Sequence, residues 1–179
     1  IGSGRLALFE HDGTPIRSVE VAARNHGPPC VADFDGDGEA EIAWADNTRL
    51  VLHDLDGALL WSAPVSDASG QAACSAFDVD GDGAHEVLFA GETALSIFDG
   101  PSGVERYRYA AHTSVTLFEY PVVADVDRDG SAELLVVSNT RGEGWSGLTV
   151  FGHAKDAWGG GGPSWPAYDY AVTNIDPDG

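Results

Sequence analysis

Apolar and polar residues along this chain are patterned for short β-strands. Gly4–Glu10 alternates, His11–Pro15 has turn chemistry and Ile16–Val21 alternates again, which predicts a hairpin. The same unit recurs as Leu50–His53, Asp54–Gly57 and Ala58–Trp61, then as Leu95–Phe98, Asp99–Gly103 and Val104–Tyr107, and it begins once more at Leu148–Phe151. Each of the three later units is preceded by a nearly continuous apolar run: Ile42–Ala45, Val87–Ala90 and Leu134–Val137. Such runs read as strands covered on both faces. No segment carries a helical period.

Directly ahead of each apolar run stands the same polar motif. Asp33-Phe34-Asp35-Gly36-Asp37-Gly38-Glu39-Ala40-Glu41 returns as Asp78-Val79-Asp80-Gly81-Asp82-Gly83-Ala84-His85-Glu86 and as Asp125-Val126-Asp127-Arg128-Asp129-Gly130-Ser131-Ala132-Glu133. Calcium is a hard cation that takes six to eight oxygens, so carboxylates at loop positions 1, 3 and 5, a backbone carbonyl at 7 and a Glu at 9 can surround it. Glycine at position 6 permits the turn that makes them converge. An EF-hand needs a Glu at position 12, whereas position 12 here is Trp44, Phe89 and Val136. Asp and Gly also mark plain solvated turns, but three copies in register favour a metal repeat.

The motif starts at 33, 78 and 125, giving spacings of 45 and 47 residues. A short strand before the loop, the apolar strand after it and the outer hairpin make four strands per repeat, the size and content of one β-propeller blade. The expected fold is therefore all-β, with three complete blades and partial blades at both ends. Residues 1–24 form the outer hairpin of a preceding blade, 25–69, 70–114 and 115–158 are blades, and 159–179 hold a Gly-rich linker and the start of a further blade. Asn174, Asp176 and Asp178 repeat the opening of a fourth loop, 49 residues after Asp125, without its later ligands. This reads as a fragment of a larger propeller, completed by the rest of a longer chain or by another copy through exposed strand edges.

The formal charge of -20 argues against nucleic acid as a partner. Twelve of the 29 acidic residues are the ligand carboxylates of the loops, and three calcium ions would add six positive charges, bringing -20 to about -14. Cys30 and Cys74 each precede a loop in matching parts of adjacent repeats, open to either a disulfide or two buried thiols. No run approaches the ~18 apolar residues of a membrane span. The chain has no Met, so Ile1 is not expected to be the natural start, and a lost secretion signal fits that.

With loops, repeat length and hairpins in place, the chain resembles the FG-GAP and VCBS-type repeats of integrin-α-like propellers over about residues 4–179. The resemblance implies calcium ligation by Asp33, Asp35, Asp37, the Glu39 carbonyl and Glu41, by Asp78, Asp80, Asp82, the Ala84 carbonyl and Glu86, and by Asp125, Asp127, Asp129, the Ser131 carbonyl and Glu133. The Phe-Gly and Gly-Ala-Pro signatures are missing, with Pro29–Ala32 and Ser75–Phe77 in their place. That favours the bacterial VCBS-like branch and a secreted or cell-surface setting.

The expected function is adhesion or binding of a protein or glycan, with about three calcium ions in a structural role. Arg141 and Trp145 lie in an insertion of the third repeat and are candidate ligand contacts, since such insertions fall in loops on one face. The alternatives are a polysaccharide lyase or hydrolase, or pure scaffold in a large surface protein. Gly-x-Ser-x-Gly and His-Glu-x-x-His motifs are absent, and His11, His26, His53, His112 and His153 lack zinc-ligand spacing. His85, beside Glu86, is expected to face solvent. Residues 158–165, Gly-rich between two tryptophans, are expected to be a linker.

Overall fold

The computed structural model describes residues 3–22, 26–115, 119–139, 146–155 and 157–162. It is all-β: β1 (Ser3–Phe9), β2 (Pro15–Ala22), β3 (Cys30–Ala32), β4 (Glu41–Asp46), β5 (Arg49–His53), β6 (Leu59–Pro64), β7 (Cys74–Phe77), β8 (Glu86–Ala90), β9 (Leu95–Phe98), β10 (Glu105–Tyr109), β11 (Val122–Ala124), β12 (Glu133–Ser138) and β13 (Gly147–Phe151). Strands adjacent in sequence pair antiparallel into four meander sheets: β1-β2, β3 to β6, β7 to β10, and β11 to β13. No helix long and apolar enough to cross a membrane occurs among the described residues.

The sheets are propeller-like blades packed face to face. Phe34, Leu50 and Leu52 of the first full blade share one core with Val87, Phe89 and Phe98 of the second. Leu88, Leu95 and Ile97 from the opposite face of that second blade pack on Val123, Leu134 and Val136 of the third. Trp44 and Val51 pack on Val21 and Leu6 of the N-terminal hairpin. Alternate side chains of a strand point to opposite faces, so a strand sandwiched between two blades must be apolar throughout. Every residue of β4 and β8 is buried, while β10, on the rim, is mostly exposed. Cys30 and Cys74 form a disulfide that joins β3 to β7 across the first blade boundary, which settles the alternative left open by the sequence.

Backbone bonds tie successive blades together at matching places. Asp67 N–H donates to the Asn47 carbonyl, Glu92 N–H to Ser66, Ser114 N–H to Glu92 and Asn139 N–H to Thr113. Asp67 is fully buried and accepts from the N–H groups of Gly70 and Ala72, so its charge is satisfied within its own turn.

The third sheet has three strands among the described residues, one fewer than the repeat predicts. The reason lies in the chain beyond β13. Gly159 N–H donates to the Val79 carbonyl, Ala132 N–H donates to the Gly159 carbonyl, and Asp125 N–H donates to the Gly162 carbonyl. These bonds commit the glycine segment to the second and third acidic loops, so where described it is a bridge rather than the expected linker. A Cβ on Gly159 would stand 2.6 Å from the Asp78 carbonyl oxygen, and one on Gly161 would stand 2.8 Å from Asp125 N. Only glycine allows so close an approach.

Two buried histidines make stability pH-dependent. Burial pushes His53, stacked on Trp44 at 4.5 Å and near Arg49, and His112, bonded to Ser138 Oγ, below the ordinary imidazole value. The unfolded chain takes up these protons near 6.5 and the native chain only at lower pH, so the part of the stability these two side chains govern should be full above 6.5 and fall as pH drops. Urea titrations at pH 7.5 and 5.5 should show a smaller loss in His112→Asn than in the parent chain. An equal loss would exclude His112 as a source.

Candidate metal sites

Each acidic loop is built from the same local bonds. In the first, Asp33 Oδ1 accepts from Gly36 N–H at 2.7 Å and Oδ2 from Gly38 N–H at 2.9 Å. In the second, Asp78 accepts from Gly81 at 2.7 Å and Gly83 at 3.0 Å. In the third, Asp125 accepts from Arg128 at 2.6 Å and Gly130 at 3.1 Å. A carboxylate clasping the N–H groups three and five residues ahead curls the chain around itself. That curl requires left-handed backbone at positions 4 and 6, with φ of 79° and 90° at Gly36 and Gly38, 77° and 98° at Gly81 and Gly83, and 67° and 92° at Arg128 and Gly130.

Arg128 is the only non-glycine residue among these six. An L side chain in this region costs on the order of 1–2 kcal/mol, partly offset by the lower unfolded-state entropy of a non-glycine residue. Arg128→Gly should therefore stabilise the chain by up to about 1 kcal/mol in denaturant titration. A loss of stability would show that the strain is relieved elsewhere.

The position-5 carboxylates set the next peptide. Asp37, Asp82 and Asp129 accept from the N–H groups of Glu39, Ala84 and Ser131 at 2.8, 2.9 and 2.8 Å, fixing the residues whose carbonyls are the expected seventh-position ligands. The position-9 glutamates begin the inner strands and are buried. Glu41, Glu86 and Glu133 accept from Phe34, Val79 and Val126 N–H at 2.7, 2.7 and 2.9 Å, closing each loop.

Carboxylate oxygens converge in all three loops. Those of Asp33, Asp35 and Asp37 lie within 4.8 Å of one another, as do those of Asp78, Asp80 and Glu86 and those of Asp125, Asp127 and Glu133. The first trio uses positions 1, 3 and 5, and the other two use 1, 3 and 9. Burial is the main cause raising Glu41, with Asp35 and Asp33 adding to it. Burial, reinforced by Asp80, Asp78 and Asp82, pushes Glu86 up to about 7. Like charges this close disfavour one another's ionisation, and a cation among them removes the conflict. A set of hard oxygens alone, with no imidazole or thiolate, suits a hard divalent cation rather than zinc or copper.

The loops touch. His85 is half-buried rather than solvated: its N–H donates to the Asp33 carbonyl at 2.9 Å, and its Nδ1 lies 3.1 Å from the same oxygen. The first and second loops thus meet directly, and the second and third meet through Gly159. Arg141 and Trp145, and the partial fourth loop at Asn174, Asp176 and Asp178, lie outside the described residues. The contacts of His85 and Gly159 depend on blade packing, and no local motif announces them.

Comparison with known proteins agrees with this architecture. The family model described as FG-GAP-like repeat matches residues 33–89 and 78–136. The crystal structure of the V. cholerae biofilm matrix protein Bap1 is similar with a TM-score of 0.66 and 28% identity, covering 78% of this chain and 24% of that one. The Neurospora crassa Pan2 WD40 domain aligns at a TM-score of 0.46 and 15% identity, covering 89% of this chain and 46% of that one. No curated protein matches. This chain thus spans about a quarter of the length of Bap1. The two matched repeats together take in residues 33–136, more than half of the 179, and with three loops and successive antiparallel blades in the same order, the chain belongs to the FG-GAP-like repeat family.

Proposed function

We propose that this chain is part of an extracellular, calcium-rigidified β-propeller that presents its surface to a protein or glycan in adhesion. The observation that carries the reading is the convergence of three carboxylates within 4.8 Å in each of three loops folded by the same bonds. Calcium would be held by the aspartates and glutamates named above, and its chemistry there is charge neutralisation and cross-linking of oxygens. The loops join inner strands to one another, so holding them in shape holds the blades in register.

The extracellular setting is supported by the Cys30–Cys74 disulfide, a bond that persists in oxidising compartments, and by the likeness to a biofilm matrix protein. The proposed role is binding rather than catalysis. The rest of the ring would come from further sequence or a second copy.

Thermal melting in chelator and then in rising calcium tests the proposal. A ligand that binds only the native state stabilises it by about 2.7 kcal/mol per site at a hundred times its dissociation constant. The midpoint should rise with calcium and less with magnesium, which demands tighter octahedral geometry. Asp35→Ala, Asp80→Ala and Asp127→Ala should each remove part of the rise. A midpoint that ignores calcium would reduce the loops to solvated turns.

A further inference from the structure

A cleft of about 430 Å³ opens between the second and third blades, beside the second acidic loop. We propose that it binds a neutral saccharide unit. The volume falls within the roughly 300–1,000 Å³ of small-ligand sites. Its walls include Asp80, Arg106, Tyr107, Phe151, His153 and Trp158.

The apolar part of the wall is aromatic, and edge contacts hold its rings. Phe151 meets Tyr107 at 6.1 Å and Tyr109 at 4.8 Å, inclined by 70° and 72°, and Trp158 lies 6.4 Å from His153 at 43°. Tyr107 is 41% exposed and Trp158 is half-buried, which leaves aromatic surface for the C–H face of a sugar ring.

The polar part offers hydrogen-bonding groups of both kinds. His153 Nδ1 accepts from Lys155 and Ala157 N–H at 3.2 and 3.3 Å, so in the neutral ring the proton sits on Nε2, which is left to act as a donor. Arg106 commits Nε and Nη2 to Asp99, and its Nη1 has no bond among the described residues. Among the described residues neither the Trp158 indole N–H nor the Tyr107 hydroxyl has a partner, and Asp80, unlike Asp35 and Asp127 in the other loops, accepts no N–H from the residue two ahead, since Asp82 N–H donates to Asp78 instead. Interspersed donors and acceptors around aromatic faces suit a polyhydroxylated ring.

Charge narrows the class. The one guanidinium at the wall is already paired with Asp99, so no free cation is left there to hold an anionic sugar. A neutral saccharide needs none.

The inference deepens the proposed binding role and rests on it only where Asp80 belongs to a calcium loop. Isothermal titration of the whole chain in calcium, with cellotetraose, maltotetraose, mannotetraose, trigalacturonate and choline as probes, tests it, with thermal melts on the same samples. At least one neutral tetrasaccharide should bind saturably. Its affinity should fall about tenfold or more in Tyr107→Ser and in Trp158→Ala, equivalent to about 1.4 kcal/mol. Tyr107→Ser, at an exposed position, guards against a Trp158 variant that fails to fold. Binding of none of the neutral sugars, binding confined to trigalacturonate or choline, or equal binding in both cleft variants would overturn the proposal. A calcium-dependent midpoint without sugar binding overturns the cleft and leaves the calcium module standing. Sugar binding with a calcium-blind midpoint upholds the cleft and removes calcium.

Discussion

Removing the Cys30–Cys74 bridge should lower stability by about 4 kcal/mol. The bond spans 44 residues of sequence, and closing a loop of that size in the unfolded chain carries an entropy cost between the ~3 kcal/mol of a 15-residue loop and the ~4.7 kcal/mol of a 100-residue one. In the native chain it staples the inner strands of two blades whose cysteines are 3% and 1% exposed. For a chain of this length each kcal/mol shifts the melting midpoint by about 2–4 °C, so the double variant Cys30→Ala, Cys74→Ala should melt about 8–16 °C lower. Circular dichroism of the variant beside the oxidised parent, both in saturating calcium, measures it. A shift under about 3 °C would mean that blade packing alone already holds the two strands.

Phe34→Ala should cost about 3–5 kcal/mol and also weaken calcium retention in the first loop. Phe34 is the second residue of that loop, yet it is fully buried and packs with Leu50, Leu52, Val87 and Phe98 across the first blade boundary. Its neighbours leave little room to collapse onto the vacated space: a Cβ on Gly100 would stand 2.1 Å from the Phe34 carbonyl oxygen, so the backbone there is already in close contact. The same backbone runs between Asp33 and Asp35, so displacement of Phe34 moves two carboxylates of the cluster. Denaturant titration gives the stability loss, and calcium titration of the variant should show the first site weakened while the other two hold. A loss under 1 kcal/mol would show that the anchor is dispensable. At the same loop position Val126 is 51% exposed, so Val126→Ala is the control and should be nearly neutral.

Much of this architecture was legible because its signals are local and repeated. Alternation and turn chemistry marked the hairpins, and the predicted Leu50–His53 and Leu95–Phe98 coincide with β5 and β9 at their last residues or throughout. The apolar runs after the first two loops became strands buried throughout, whereas the third, expected to be covered on both faces, is covered on one: Leu134 and Val136 are buried against the second blade and Val137 is 50% exposed, because no further blade packs on it among the described residues. The grouping of carboxylates followed from their spacing, since a loop that clasps its own N–H groups brings positions 1 and 3 together wherever it occurs.

Other features had no local signature. The glycine segment after Trp158 reads by composition as a linker, and its role is set by three bonds to residues at 79, 125 and 132. His85 reads as solvated, and the Asp33 carbonyl that meets it comes from the preceding blade. The cleft joins Arg106 and Tyr107 of one blade to His153 and Trp158 beyond the next.

The residues alone thus decided the repeat, the strand order within each blade and the loop chemistry, because a nine-residue motif and a period-two pattern act over distances the chain covers by itself. Whether the two cysteines are bonded, how the loops touch and where a cleft opens were decided by packing one blade on the next. Those contacts join residues some 45 positions apart, and their geometry depends on how two buried faces fit together.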